Sequence, residues 1–161
     1  LLEASGRPLA APSANASGRI SPTRAEHVLA SLDGRIALVV DGGPTAHGLE
    51  STIVAATGGS PRLLRPGPIA VPGAVPASKG IEAPGMMESH YAPGKPLRLE
   101  AIEAAEGEFL IGFGDVTGQV SLSPSGDLRE AAARLFDLLH RADAAPAPRI
   151  AVAPVPREGL G

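Results

Sequence analysis

Seven prolines fall between residues 66 and 96, and no other feature limits the fold of this chain as strongly. Proline has no N–H for a helix or a sheet ladder, and it biases the preceding residue away from helical backbone. The stretch therefore reads as a semi-rigid connector rather than a packed element. It separates two segments that carry periodic apolar patterns, and each must build its own core. Aromatic residues are only 2% of the 161, against 43% hydrophobic. The cores must therefore come from Ala, Val, Leu and Ile, which bury less area per residue than rings do.

In the first segment, residues 8–12 read as a short buried strand leading into a Ser/Asn/Gly loop. Thr23 and Glu26 have capping-box spacing, and Ala25, Val28, Leu29 and Leu32 then give a helical stripe closed by Gly34. Residues 36–40 are a continuous apolar, β-branched run, the pattern of a buried strand. Residues 51–55 and 62–65 read as a hairpin turning through Gly58 and Gly59.

Beyond the connector, strands are expected at 97–99, 109–113, 120–122 and 150–155. A long helix starts at Asp127, with Glu130 at the capping position and an apolar face of Leu128, Ala132, Leu135, Leu139 and Ala142. Glu130/Arg134 and Asp137/Arg141 are exposed pairs at i,i+4. The expected fold class is α/β: a partial twisted mixed sheet with helices, then a small α/β domain joined by a proline-rich linker. The expected domains are 1–68, 69–95 and 96–161.

The net charge is −3, and neither segment has the basic surplus of nucleic-acid binders. With no cysteine, disulfides, thiolate metal sites and Cys nucleophiles are excluded. No apolar run approaches membrane-span length and no signal peptide opens the chain. A soluble, cytoplasmic protein is the expectation. Leu1 in place of Met, and a strand-like run just before Gly161, read as the ends of a fragment.

Four polar clusters can carry chemistry. Ser13, Asn15, Ser17, Gly18, Arg19 and Ser21 form a loop before a helix, either an anion-binding loop or one whose serines satisfy their own backbone. Asp41-Gly-Gly-Pro and Gly48-Leu-Glu-Ser-Thr52 form either a turn or a close approach to a ligand, with Ser51 at a strand start. Arg65, at a strand end before Pro-Gly, is a phosphate clamp or a surface arginine. His90-Tyr91-Ala-Pro93 holds the only tyrosine, as a ligand contact or a linker anchor. Other motifs fail. Gly112-Phe-Gly114 lacks the third fingerprint glycine, there is no Walker loop, and Ser51 is not in a nucleophile elbow with His47 and Asp41. The histidines at 27, 47, 90 and 140 have no metal-ligand spacing, and His27 and His140 are expected to be solvated on their helices.

Taken in order, Ala10-Ala-Pro-Ser-Ala-Asn-Ala-Ser-Gly18, Ser21-Pro-Thr, Asp41-Gly-Gly-Pro, Gly48-Leu-Glu-Ser-Thr52 and Leu64-Arg-Pro-Gly67 resemble the second half of the YrdC-like catalytic domain. Ser89-His-Tyr-Ala-Pro93 resembles the linker of the longer Sua5 form. The helix from Asp127 and the closing Glu158-Gly-Leu-Gly161 resemble the Sua5-specific domain. The chain is thus similar to Sua5/YrdC-type threonylcarbamoyl-AMP synthases over nearly its whole length.

The resemblance implies a nucleotidyltransferase that turns L-threonine, bicarbonate and ATP into threonylcarbamoyl-AMP and pyrophosphate for tRNA modification. It implies ATP as a substrate, with Mg2+, and no redox cofactor. It implies Ser13, Ser21, Arg65 and Tyr91 as ATP contacts and Ala11 and Ser51 as threonine contacts, with no covalent nucleophile. The partner is the downstream tRNA threonylcarbamoyl-transferase machinery, without membrane or stable nucleic-acid binding. The family's strands and basic segment upstream of this half-domain are absent. Pro72, Gly73 and Pro76 break the short acidic helix usual after Pro68, and the family's last helix would follow Gly161. The related carbamoyltransferase domain of hydrogenase maturation proteins shares the core but not the His-Tyr-Ala-Pro linker. A non-catalytic RNA-binding module is opposed by the charge balance.

Overall fold

A computed structural model describes residues 1–77 and 91–161, so Ser89, His90 and the middle of the connector lie outside the described residues. The elements are helix α1 (Leu2–Ser5), helix α2 (Ala25–Leu32), strands β1 (Ile53–Ala55), β2 (Arg62–Arg65), β3 (Val75–Pro76), β4 (Leu97–Arg98), β5 (Glu108–Gly112) and β6 (Val120–Ser121), helix α3 (Leu128–Ala144) and strand β7 (Arg149–Val152). They form a mixed α/β architecture with two sheets, of order β1-β2-β3 and β4-β7-β5-β6.

The second sheet is wholly parallel in its pairings. Parallel pairing needs crossovers and covered faces, and α3 is the crossover from β6 to β7. Its stripe packs Leu138, Leu139 and Ala142 with Ile111, Leu122, Ile150 and Val152. Ile111 and Ile150 are fully buried. Asp127 caps α3, its Oδ1 accepting the Glu130 N–H at 2.8 Å, a contact worth about 1 kcal/mol. The buried Ser123 completes the cap by accepting the Asp127 N–H at 3.0 Å and donating to Glu130 at 2.5 Å. Glu130 also pairs with Arg134 as the spacing predicts.

The first sheet holds the predicted hairpin, with Val54 opposite Leu63. The connector contributes more than a spacer, since Val75 and Pro76 pair parallel to β2. Two expected strands do not form. Residues 8–12 and 36–40 have no ladder partner among the described residues, and Ile36, Leu38 and Val40 stand exposed. An apolar β-branched run is only able to be a strand; a neighbour must take its N–H and C=O groups before it becomes one.

The expected capping box of α2 is also not made. Arg24 occupies the N-cap and its side chain makes no capping bond, while the Thr23 hydroxyl and N–H both turn to His27 Nδ1, at 3.3 and 3.2 Å. His27 and His140 are partly buried rather than fully solvated. Their rings stack at 3.9 Å between centroids, and burial together with the His140 charge lowers the His27 pKa. Asp137 bonds Arg24 at 2.7 Å, so the Asp137/Arg141 pair read from spacing gives way to a contact between helices.

These contacts join the two segments. Ile20 is buried within the second segment's core. Gly48, at φ +64, lies so close to α3 that a Cβ would sit 2.4 Å from the Ala132 carbonyl oxygen. Lys95 donates to the Ala142 and Ala145 carbonyls at 3.0 and 2.5 Å, a cation on the exposed carbonyls of a helix C-terminus.

Glu108, at the start of β5, carries an acid-sensitive contact. Its carboxylate accepts Arg98 Nε and Nη2 at 2.9 and 2.6 Å and the Ala105 N–H at 2.8 Å. The Arg98 hydrogen bonds, then that of Ala105, lower its pKa from 4.5 to about 2. The unfolded chain takes up this proton at higher pH, so the stabilisation is complete above 4.5 and is lost as pH falls towards 2. Urea unfolding should therefore find Glu108→Gln less stable than wild type at about pH 6, with the gap closing below about pH 4. A gap independent of pH would assign the loss to shape rather than charge.

Candidate active site

The site is built where β2 leaves its sheet. Gly67 presses against the start of β1, where a Cβ would lie 2.4 Å from Thr52 N and 2.5 Å from Glu50 O. Only glycine permits that approach. The Thr52 hydroxyl locks it, donating to Ile69 O at 2.8 Å and accepting the Ile69 N–H at 3.2 Å. Residues 50–52 and 65–69 thus form one rigid corner.

The Arg65 guanidinium folds back over this corner. Nε donates to Ser51 O, Nη2 to Ser51 Oγ and Nη1 to the Tyr91 hydroxyl, each at 3.0 Å. Nη2 also stands 3.4 Å from Glu50 Oε2. The arginine is 5.9 Å from the Tyr91 ring centroid, near the outer limit of cation–π attraction. The hydroxyl contact therefore dominates the pair. The Arg65 side chain is 11% exposed and that of Glu50 21%, so the fork is held largely out of water. Such a fork can receive an anion without first being ordered.

Tyr91 is fixed from its other side too. The next residue, Ala92, donates its N–H to Gly18 O at 3.3 Å and bridges to Arg19. Tyr91 has φ 57 and Ala14 φ 58. Left-handed backbone at non-glycine residues costs on the order of 1 kcal/mol each and persists only where surroundings impose it. One of these residues follows Ser13 and the other returns from the connector, so both flank the same space.

That space is a cavity of about 360 Å3 lined by Ala11, Pro12, Ser13, Glu50, Ser51, Ile53, Arg65 and Tyr91. Five of the six residues singled out in the sequence, Ala11, Ser13, Ser51, Arg65 and Tyr91, meet on its wall. Ser21 stands behind it. It is buried, its hydroxyl donates to Glu50 Oε1, and its carbonyl lies 3.1 Å from His140 Nε2 on α3. Glu50 is the member that sequence reasoning passed over. Its one signal was an acid inside a cluster otherwise suited to anions. Among the described residues no group of His, Asp or Glu is arranged to hold a metal ion, and no helix is long and apolar enough to cross a membrane.

Comparison with known proteins identifies the family of the chain. The family model described as "Telomere recombination" (Sua5, YciO, YrdC) matches residues 1–67, and "Threonylcarbamoyl-AMP synthase, C-terminal domain" matches residues 45–161. The chain is similar to the threonylcarbamoyl-AMP synthase of Bacillus subtilis, 50% identical over 112 residues covering 62% of this chain and 32% of the relative. It is 46% identical over 107 residues to that of Pyrococcus abyssi, covering 58% and 32%. The aligned parts cover about a third of the length of these relatives. Among solved structures, P. abyssi Sua5 complexed with L-threonine superposes with TM-score 0.80 at 30% identity, over 99% of this chain and 56% of that one. A variant of the same protein with a histidine and a tyrosine changed to alanine gives 0.78 at 30%, over 99% and 55%. With both family models in register along the whole length, the chain belongs to the Sua5/YrdC family of threonylcarbamoyl-AMP synthases.

Proposed function

We propose that this chain is the part of an L-threonylcarbamoyladenylate synthase that holds the nucleotide against threonine. The observation that carries the reading is the Arg65 fork, tied at once to Ser51 and to the Tyr91 hydroxyl on the wall of one cavity. Ser13, Ser21, Arg65 and Tyr91 serve ATP, while Ala11 and Ser51 serve threonine. Residues 1–68 form part of the catalytic domain, 69–95 the linker and 96–161 the second domain.

The reaction needs orientation and charge stabilisation more than a nucleophile on the protein. The threonine amine adds to bicarbonate and water leaves, giving a carbamate. A carbamate oxygen then attacks the α-phosphorus of ATP, and pyrophosphate departs. Donors fixed before substrate arrives stabilise the charge that develops on phosphate oxygens. Arg65 is such a donor, and the Ser13 loop brings further donors to the same wall. The Ser51 hydroxyl offers a small polar contact to the amino acid. Mg2+ enters with ATP as part of the substrate, held by its phosphate oxygens. Tyr91 closes the space over a water-sensitive adenylate, as a lid does.

The product passes in the cytoplasm to machinery that transfers the threonylcarbamoyl group to tRNA, and the charge of −3 fits a protein that keeps no long-lived hold on tRNA itself. The test is the fate of labelled bicarbonate in the full-length protein. Label should enter an adenylate only when threonine and ATP are both present, and label in the adenylate without threonine would refute the reading.

A further inference from the structure

Glu50 puts a carboxylate in the wall of a cavity read above as a nucleotide site. A negative charge there opposes phosphate unless it is already engaged, and both of its oxygens are engaged. Oε1 receives the Ser21 hydroxyl, and Oε2 faces Arg65 Nη2 at 3.4 Å. The Glu50 backbone is clamped as well, because the absent Gly67 Cβ is what lets the β2 exit lie on its carbonyl. The carboxylate is thus delivered to a fixed point between two groups that the chain brings together from residues 21 and 65. Ser21 is anchored from the far side through its carbonyl and His140.

We infer that Glu50 is a positioning residue of the nucleotide site, its two oxygens fixing the Arg65 fork and the Ser21 hydroxyl in one arrangement before ATP binds. The inference rests on the nucleotide reading of the cavity. An ion pair this sheltered is screened less than a surface pair, and a guanidinium with a fixed plane loses less freedom when it grips phosphate. A competing role is proton acceptor for the threonine amine. That role would leave the carboxylate to the amine, whereas Oε1 takes the Ser21 hydroxyl and Oε2 pairs with Arg65, an arrangement that favours positioning.

The test uses the full-length protein with Glu50→Gln, which keeps an acceptor for Ser21 but removes the charge, and Glu50→Asp, which keeps the charge but withdraws it by one methylene. Calorimetric titration with ATP should show about a tenfold weaker Kd in Glu50→Gln, with Asp recovering part of it. The threonine Kd should stay within about twofold, and the pH profile of kcat should keep its shape. Arg65→Ala combined with Glu50→Gln should lose less than the sum of the two single losses, since they act through one fork.

An unchanged or tighter ATP Kd in Glu50→Gln overturns the inference. So does an altered pH profile with intact ATP affinity, which would make Glu50 the proton acceptor. Should Glu50→Gln fail to fold, Glu50→Asp provides the second arm. It should weaken ATP binding about threefold, and an unchanged Kd there counts equally against the proposal. Wild-type protein that does not bind ATP overturns the nucleotide reading together with this inference. Wild-type binding with unaffected variants overturns this inference alone.

Discussion

Arg65→Ala in the full-length protein is expected to weaken ATP binding by about 30- to 150-fold, the equivalent of about 2 to 3 kcal/mol for charge-assisted hydrogen bonds to phosphate. Threonine affinity should fall much less. It will not stay untouched, because Arg65 also donates to the Ser51 carbonyl and hydroxyl. Arg65→Lys should recover only part of the loss, since a point charge cannot reach Ser51, Tyr91 and a phosphate in one plane. Paired titrations with ATP and threonine, beside a thermal melt, separate these effects. Equal losses for both ligands would make Arg65 a brace of the corner rather than a phosphate donor.

Tyr91→Ala carries the other large effect. Tyr91 is tied through its hydroxyl to Arg65, and the next residue is bonded to Gly18, so the end of the connector lies at the wall of the cavity proposed to take the nucleotide. Loss of the ring should reduce adenylate recovered per ATP consumed by about tenfold, because water then reaches the intermediate. The melting temperature should change little. Tyr91→Phe separates the two contributions, removing the hydroxyl contact to Arg65 while keeping the ring as a cover, and should fall between wild type and Ala. Wild-type yield in Tyr91→Ala would refute the lid. A large drop in melting temperature would make Tyr91 a structural anchor.

Local pattern made much of this molecule legible. The α3 stripe and its Asp127 cap, the hairpin at Gly58 and Gly59, and the apolar runs of β5 and β7 are all decided by residues within a turn or a strand of one another. The candidate site was legible in part for a related reason. Gly67, Ser51 and Arg65 flank a hairpin, so chain geometry alone brings them to one corner. What escaped depends on distant partners. Ser21 and Glu50 meet across 29 residues and Arg24 and Asp137 across 113, and no periodicity records such pairs. The same limit explains the stacked His27 and His140, each an unremarkable polar position on its own helix. It explains the run at residues 36–40 as well, where composition allows a strand but none of the described residues pairs with it.

Fork, loop and linker are together proposed to serve one adenylation. Pyrophosphate release by the full-length protein tests it most directly, measured with ATP and with threonine and bicarbonate each left out in turn. Release is expected only when all three are present. Equal release without threonine would contradict it.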